Sequence, residues 1–387
     1  MDKFLPNLRK GDNYDFLPNL RFTGFENEWE VKKLGEIANK IGDGLHGTPD
    51  YTDNSEYYFI NGNNLVNGRI EIFDNTKKVS NHIFAKNNKD LKENTLLISI
   101  NGTIGSIAKY NGEKVMLGKS VGYFNFKNNS DFIYFTLHTR LIQDYFFSEL
   151  TGSTIKNLSL KTLRETSIYL PSSEEQYKIS CFLSLVEDRI QTQRKIIEGL
   201  ITLKIQSRNK LFKRIIKDDY EAFTVEEILN YEQPTKYIVS NTDYSSDKSL
   251  IPVLTANKAF ILGYTNEDWG IYNKGKCIVL DDFTLDLKYV DFSFKIKSSA
   301  IKLLTPKNNV DLKFVFEYFS FLNLSSNEHK RHYISEIQPM LLNIPAIDIQ
   351  NNISNFLSKL DSKISLETEL LTQYENQKKY LLQNLFV

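Results

Sequence analysis

Several segments of the sequence carry residue types that suit enzymatic chemistry, but none completes a catalytic motif. Gly118-Lys119-Ser120 is similar to the end of a phosphate-binding loop, yet five residues separate Gly112 from Gly118 where that motif has four. No Asn-Pro dipeptide occurs, so the chain lacks the Asn/Asp-Pro-Pro-aromatic motif of adenine-methylating enzymes. No Gly-x-Gly-x-x-Gly fingerprint of dinucleotide binding is expected after a strand.

Two weak matches to metal sites are also present. Asp50 with the distant Asp90 and Lys92 is similar to the carboxylate-lysine set of a metal-dependent nuclease, a match that is common by chance. His329-Lys330-Arg331-His332 has no accompanying cysteine or acidic cluster, so a solvated turn is favoured over a zinc site. The sequence therefore predicts no catalytic, metal or cofactor site in this chain.

Polar loops that follow apolar strands offer a different kind of chemistry. Asn, Thr, Ser and His at loop tips can bond to base edges in DNA grooves, and Lys can contact phosphates. A lone Asn-Gly pair is more often a hairpin turn, so the prediction depends on the grouping of several such loops. The candidate DNA-contacting residues of the first half are Asp43, Gly44, His46, Thr48, Asn61, Asn63, Asn64, Asn101, Thr103, Lys119 and Ser120.

The second half of the chain has a corresponding set of candidates. Its acidic pair, Asp281-Asp282, either accepts hydrogen bonds from cytosine amino groups or caps a turn. Basic residues gather between 288 and 307, where they could form one positive face. The candidate DNA-contacting residues here are Thr255, Asn257, Lys258, Asp282, Thr284, Lys288, Lys295, Lys297 and Ser298.

An internal repeat is the most informative feature of the sequence. Residues 175–212 align with 349–386 without a gap at an offset of 174, and ten of the 38 positions are identical. A chance match of two amphipathic helices is the alternative, which an ungapped alignment of this length disfavours. Lys204 and Lys378 are polar seam positions that would fix the helix register. The apolar residues have coiled-coil spacing, with seam positions Ile179, Leu183, Val186, Ile190, Ile353, Leu357, Leu360 and Ile364.

The segments that precede the two helices also correspond to each other, at offsets of 194 and then 180. We expect strands at 57–60, 95–100 and 121–124, and again at 251–254, 277–280 and 301–304. A helix from 172 to 214 would be about 64 Å long, and the seven-residue linker that follows reaches only about 25 Å. The two helices must therefore run antiparallel if they pair.

These patterns predict the fold class and the domain organisation. The fold is α/β (α+β), with two pseudo-repeated globular domains separated by two long antiparallel coiled-coil helices. The predicted segments are 1–28 as an N-terminal lead-in, 29–171 as the first domain, 172–217 as the central helix, 218–345 as the second domain and 346–387 as the C-terminal helix.

Composition excludes several classes of protein. The 387 residues are 41% hydrophobic and 25% charged, which is typical of globular domains and excludes a disordered or fibrous chain. Two cysteines cannot form a disulfide framework, and no apolar run is long enough for a membrane span, so we expect a protein of a reducing cytoplasm. The 48 Lys+Arg balance the 48 Asp+Glu, which by itself argues against a nucleic-acid binder.

Three groups of residues resemble one known family. The first is the opening segment 18–37, with Pro18-Asn19-Leu20-Arg21-Phe22 and Leu34-Gly35-Glu36-Ile37. The second is the set of loops 43–49, 101–105 and 117–121. The third is the pair of repeated helix starts. Together they are similar to the specificity subunit of type I restriction-modification systems, over nearly the whole chain. The second half lacks the His-x-Thr-Pro and Gly-Thr-x-Gly loops, and the repetition of residues 4–9 at 16–21 has no counterpart that we can assign.

The resemblance implies a non-catalytic subunit that reads a split sequence in double-stranded DNA. Each globular domain would be a target-recognition domain for one half-site, and the helices would set the gap. Two modification (methyltransferase) subunits with S-adenosylmethionine, and restriction/translocase subunits with ATP and Mg²⁺, would be its partners, with no membrane involved. A coiled-coil adaptor whose two α/β domains bind protein is the alternative from another class.

Overall fold

The structure is a computed structural model that describes residues 17–128, 130–152, 156–218, 220–255, 259–326 and 330–387. Residues 4–9, the candidates Asn257 and Lys258, and His329 lie outside the described residues. The chain divides into two compact units, which we describe separately. Unit 1 is Met1–Gln193 with Leu370–Val387, and unit 2 is Arg194–Glu369.

Unit 1 begins with short strands that alternate with turns and short helices. The inner strand Thr95–Ser99, with the apolar residues Leu96, Leu97 and Ile98 at its centre, is buried at every position, as expected for a strand covered on both faces. In chain order the elements are β1 (Glu30–Lys33), α1 (Leu34–Ile37), β2 (Lys40–Asp43), β3 (Tyr57–Ile60), β4 (Leu65–Val66), β5 (Arg69–Ile70), β6 (Lys78–Val79), α2 (Asn81–Asn87), β7 (Thr95–Ser99), β8 (Ile107–Lys109), β9 (Val115–Leu117), β10 (Val121–Asn125), α3 (Ser130–Leu137), α4 (Arg140–Ser148), α5 (Leu160–Glu165) and β11 (Ser167–Leu170).

The long helix α6 (Ser173–Lys217) follows and crosses from unit 1 into unit 2. The remaining elements are β12 (Ala222–Thr224), α7 (Val225–Ile228), β13 (Leu229–Glu232), β14 (Ile251–Leu254), β15 (Ile261–Thr265), β16 (Cys277–Asp281), β17 (Leu287–Val290), β18 (Lys295–Ile296), β19 (Ile301–Pro306), α8 (Leu312–Leu322), β20 (Leu341–Asn343) and α9 (Ile347–Asn384). Residues 333–337 form one π-helical turn before β20.

The sheets of the two units have the same strand order. Unit 1 has an antiparallel sheet β2-β10-β7-β8, a mixed sheet β6-β3-β9 and a pair β1-β11. Unit 2 has β13-β19-β16-β17, β15-β14-β18 and β12-β20, with the same parallel and antiparallel pairings. The repeat predicted from sequence is therefore present in the fold, and the predicted strands are confirmed.

The helical segment that follows β10 is interrupted, because α3 ends at Leu137 and α4 begins at Arg140. Thr139 between them has an extended backbone (φ −65°, ψ 149°), which ends one helix and precedes the next. The apolar pattern continues through the interruption, because both helices face the same core.

The start of α6 is fixed by capping. Ser172 Oγ accepts a hydrogen bond from the backbone nitrogen of Glu175 at 3.3 Å, as the predicted capping box requires. The Glu175 carboxylate does not complete the box, because both of its oxygens accept from Arg21, at 2.7 and 2.8 Å. Leu20 donates its backbone N–H to Asn384 at 2.7 Å. Residues 17–21, the described part of the second copy of the repeated segment, thus pack on helices α6 and α9 in unit 1.

Within each unit, the two long helices pack as antiparallel segments. In unit 1, Ile179 and Leu183 share a core with Leu381 and Leu385, so the beginning of α6 meets the end of α9. In unit 2, Phe212 shares a core with Leu357 and Ile353, so the end of α6 meets the beginning of α9. The seam predicted from sequence is buried or half-buried at every position.

Polar seam residues of the two helices form ion pairs. In unit 1, Lys378 on α9 pairs with Glu187 on α6. In unit 2, Lys204 on α6 pairs with Asp361 on α9 at 2.6 Å. Lys204 matches Lys378 and Glu187 matches Asp361 at the repeat offset of 174. The two ion pairs are therefore copies of one interaction. Unit 2 extends it to Glu317 of α8, which is fully buried and 3.1 Å from Lys204.

Candidate nucleic-acid interface

Four polar loops of unit 1 lie together at one edge of its sheets. We call residues 43–49, 61–64, 100–105 and 118–120 loop edge 1. Ser120 joins three of these loops, because its hydroxyl donates to Asn61 Oδ1 at 3.1 Å and accepts from Gly62 N at 2.9 Å, and its carbonyl accepts from Ile100 N at 2.9 Å. The fourth loop joins through Leu45 N, which donates to Leu117 O at 2.8 Å.

Two glycines allow this close packing of loops. A Cβ atom on Gly44 would lie 2.3 Å from the carbonyl oxygens of Leu117 and Gly118, and one on Gly62 would lie 2.1 Å from Ser99 Oγ. No other residue fits at these positions without moving the neighbouring chain. Gly44 therefore contributes to loop edge 1 by allowing this close packing, because it has no side chain.

The loop edge contains both structural and surface polar residues. Asn64 is 4% exposed; its side chain accepts from Asn61 N at 2.9 Å and donates to Glu71 O at 2.9 Å, so it holds its own loop. Asp43 is half-buried and bonds to His46 at 2.6 Å. Asn61 and Asn101 are also partly buried. The side chains at the surface are His46, Thr48, Asn63, Thr103 and Lys119.

Unit 2 has an equivalent edge. We call residues 237–243, 255, 282–286 and 297–300 loop edge 2. Val239 N donates to Ile296 O at 3.0 Å, the counterpart of Leu45 and Leu117 in unit 1. Asp282 N donates to Ala300 O at 2.9 Å, the counterpart of Ile100 and Ser120. The same backbone connections therefore define both edges.

Three candidates of unit 2 are buried, contrary to the surface position that the sequence analysis predicts for them. Asp282 is 1% exposed, accepts from Tyr333 N at 2.8 Å and pairs with Lys302 at 3.2 Å. Lys295 is fully buried, and Thr255 is also buried. In unit 1 the positions of Asp282 and Lys302 are occupied by Ile100 and Gly122, so unit 2 has an ion pair where unit 1 has an apolar contact.

The remaining described candidates of unit 2 differ in exposure. Thr284, Lys297 and Ser298 are exposed on loop edge 2. Lys288 lies on β17, half-buried, with its ammonium 5.9 Å from the centroid of the Phe260 ring. Asp281 caps the turn, since its carboxylate accepts from the backbone nitrogens of Phe283 and Thr284.

The expected positive face between 288 and 307 contains fewer surface charges than the sequence predicts. Lys295 and Lys302 are buried, and burial with an acidic partner removes their charges from the surface. Lys297 and Lys307 are exposed, and Lys307 donates to Glu226 O.

The sequence analysis missed one surface loop of unit 2. Ser240, Asn241 and Thr242 are exposed on loop edge 2, and they correspond to His46, Gly47 and Thr48 at an offset of 194. The same offset of 194 relates β3 to β14. Applying this offset to residues 46–48, which precede β3, would have identified the loop.

We expected no Gly-x-Gly-x-x-Gly spacing after a strand, and this expectation was wrong. Gly42-Asp43-Gly44-Leu45-His46-Gly47 has the Gly-x-Gly-x-x-Gly spacing and overlaps the end of β2. A dinucleotide site needs a helix that opens at these glycines, whereas the described chain continues here as a loop. The glycines serve the loop packing instead.

The nuclease alternative gains no support from the structure. Asp90 and Lys92 are exposed and form a surface ion pair at 3.2 Å. Among the described residues, no group of three or more His, Cys, Asp or Glu side chains is placed to hold a metal ion. In the same part of the chain, no helix is long and apolar enough to cross a membrane.

Comparison with known proteins finds similarity to one family over part of the chain. Residues 26–201 match the family described as "Type I restriction modification DNA specificity domain". The specificity subunit of the type I restriction enzyme EcoR124I/EcoR124II of Escherichia coli is 43% identical over 166 residues, which cover 40% of this chain and 40% of that protein. The MjaIX specificity subunit of Methanocaldococcus jannaschii is 28% identical over 74% of this chain and 67% of that protein.

A solved structure has the same fold over nearly the whole chain. The S subunit of a type I restriction-modification system from M. genitalium superposes with a TM-score of 0.64 at 16% identity, covering 96% of this chain and 99% of that one. The family match and the 43% identical relative confirm the resemblance to type I specificity subunits in the first half of the chain, and the solved structure shows the shared fold.

Proposed function

We propose that this chain reads a two-part DNA sequence for a type I restriction-modification complex. Loop edge 1 reads one half-site and loop edge 2 reads the other, while α6 and α9 set the unread gap between them. Two modification subunits carrying S-adenosylmethionine then methylate adenines, and restriction subunits that use ATP and Mg²⁺ act on unmodified DNA. The chain itself contributes recognition and no catalytic group.

The observation that supports this proposal most directly is the duplicated strand order, with polar loops at the same edge in both units. Hydrogen-bonding side chains at loop tips suit base edges, and different side chains on one backbone frame give different sequences. His46, Gly47 and Lys119 of unit 1 correspond to Ser240, Asn241 and Ser299 of unit 2. One backbone frame that carries different side chains at several loop positions is expected of a reader with two different half-sites.

Mapping methylated adenines in cells tests the proposal. Cells that express this chain with its modification subunit should carry methyl groups at one split sequence, and cells without the chain should not. Replacing residues 29–171 by the corresponding domain of a relative should change one half of that sequence and leave the other half intact. If both halves change, the assignment of one half-site to each unit is wrong.

A second experiment tests the role of the helices. Seven residues inserted after Gly199 and seven after Ser365 lengthen α6 and α9 together by about 10 Å and keep the coiled-coil spacing. If the helices set the gap, it should grow by about three base pairs, at about 3.4 Å each, with both half-sites unchanged. An insertion in α6 alone is the control, and it should disrupt the helix pairing. An unchanged gap after the double insertion would remove the helices' role in spacing.

A further inference from the structure

Trp269 is an exposed aromatic residue in unit 2 that the recognition loops do not explain. The chain has two tryptophans. Trp29 is buried in the core of unit 1, whereas Trp269 is 53% exposed in the loop after β15. Tryptophan is enriched at binding interfaces, because it combines a large apolar ring with a polar N–H group.

A buried ammonium fixes the position of this residue. Lys295 Nζ donates to the backbone carbonyl of Trp269 at 2.6 Å and lies 3.7 Å from the centroid of the indole ring. Its charge is balanced by Glu267, whose carboxylate is 2.8 Å away. The contact of a cation with one ring face leaves the ring oriented and its remaining surface free for a ligand.

The same acid connects Trp269 to loop edge 2. Glu267 Oε1 accepts from Ser240 N at 2.9 Å, from Ser240 Oγ at 2.6 Å and from Asn241 N at 3.3 Å. Burial alone would raise the pKa of the Glu267 carboxyl, but the hydrogen bonds from Lys295 and Ser240 hold it at about 2, below the ordinary value of 4.5. The carboxylate therefore stays charged throughout the neutral range.

Gly270 brings the tryptophan loop against the same edge. Its φ is +56°, and a Cβ atom there would lie 2.4 Å from the carbonyl oxygen of Lys236. The segment 267–270 is thus held at both ends against residues 236–241, whose tip presents Ser240, Asn241 and Thr242. The exposed indole lies beside polar side chains placed like the recognition loop of unit 1.

We propose that Trp269 stacks on a nucleobase at a distorted base step of the half-site bound by unit 2. Lys295 and Glu267 are the positioning residues that hold the indole ready for this contact. The inference rests on the proposed function, and it adds an aromatic contact that loop edge 1 does not have at the corresponding position. Aromatic side chains that enter a base step unstack it and make the site sensitive to the flexibility of that step.

The scarcity of tryptophan gives a direct test. The full chain with Trp29→Phe retains Trp269 as its one tryptophan, so emission reports on that residue alone. The probe is a duplex that carries the methylated sequence mapped in cells. We expect its binding to quench the emission and to reduce acrylamide quenching several-fold. Trp269→Ala should weaken binding by about five- to hundredfold, the range seen for loss of one stacked base.

Four further variants separate stacking from folding. Trp269→Phe keeps an aromatic ring and should recover most of the binding that Trp269→Ala loses, whereas Trp269→Leu should not. Tyr380→Ala removes another exposed aromatic residue, on α9, and serves as the control with unchanged binding. In the Trp29→Phe background, Lys295→Met should lower the fluorescence anisotropy of Trp269 before any DNA is added, because the ring loses its anchor.

The possible outcomes distinguish this inference from the proposed function. DNA binding at full affinity with unchanged acrylamide access, or equal binding by Trp269→Leu and the parent, overturns the stacking contact and leaves the reader role intact. Failure of the parent chain to bind the mapped duplex, both alone and together with its modification subunits, overturns both. Protection of Trp269 together with rescue by phenylalanine supports both.

Discussion

Asn63 and Asn64 are adjacent in the sequence, yet they have different roles in loop edge 1. Asn63 is exposed, while Asn64 is buried and bonds to Asn61 N and Glu71 O. Sequence analysis selected both because the residue type suits DNA contacts. Residue type alone does not predict which of two neighbours faces the protein, since that depends on the turn between them.

The two asparagines give a matched pair of substitutions. Asn64→Ala should lower the free energy of unfolding of the chain by about 1–3 kcal/mol, because it leaves buried backbone groups without partners. Asn63→Ala should change stability by less than about 0.5 kcal/mol. Urea denaturation of both variants measures the difference. Equal losses of stability would contradict the distinct roles of the two residues.

The buried pair Asp282–Lys302 predicts a second residue-level effect. Asp282→Ala leaves the Lys302 ammonium buried without its partner and should cost about 3–5 kcal/mol of stability. Asp282→Ala with Lys302→Met removes both charges and should be less destabilising than the single change. Unfolding of the two single variants and the double variant gives their coupling energy. A coupling near zero would show that the pair is not a unit.

Glu267 makes stability depend on pH. Its pKa is about 2 in the folded protein and about 4.5 when unfolded, so its stabilising contribution is complete above about pH 4.5 and is lost as the pH falls toward 2. Glu267→Gln should be less stable than the parent at neutral pH and should lose less stability between pH 4.5 and 2. Glu93→Gln, at an exposed site, is the control and should follow the parent.

At the scale of elements, the sequence predicted six of the strands and both long helices, because each apolar run faces a core. It did not predict the interruption between α3 and α4, where the apolar pattern continues while the backbone at Thr139 turns. It also placed Lys295 at the surface, although both residues of β18 are buried. A two-residue strand is too short for alternation to reveal its buried face.

The paired helices predict a stability effect in unit 1. Lys378→Met leaves Glu187 half-buried without its cation and should cost about 2 kcal/mol, less than for a fully buried pair because water still reaches both side chains. Lys379→Met changes the exposed neighbour and should be nearly neutral. Lys378→Met with Glu187→Leu should recover part of the loss. Thermal unfolding of the four proteins tests the pairing.

At the scale of the molecule, the zero net charge conceals an uneven distribution. Residues 29–171 carry a net charge of +2 and residues 172–217 a net charge of +5, whereas residues 218–345 carry −5. The acidic second domain is a poor partner for phosphates. A reader with this distribution would obtain most of its phosphate contacts from other subunits.

Salt dependence tests this view of the charge. The isolated chain should bind the mapped duplex weakly, and addition of modification subunits should steepen the decrease of affinity with salt, because more phosphate contacts release more counterions. Fluorescence anisotropy of labelled duplex at several salt concentrations provides the slope. A chain that binds no duplex with or without those subunits, but does bind protein partners, would support the adaptor alternative.

The exchange of Ile100 and Gly122 for Asp282 and Lys302 has a consequence for how such sequences recombine. The two charged partners lie on different strands, 20 positions apart in the chain. If recombination with the segment that encodes unit 1 replaced only one of these two positions, the other position would keep a buried charge beside an apolar partner. The hybrid domain would therefore be destabilised. Crossovers within the helices meet matching apolar and ionic positions in both copies. New specificities are therefore expected to arise by exchange of whole recognition domains.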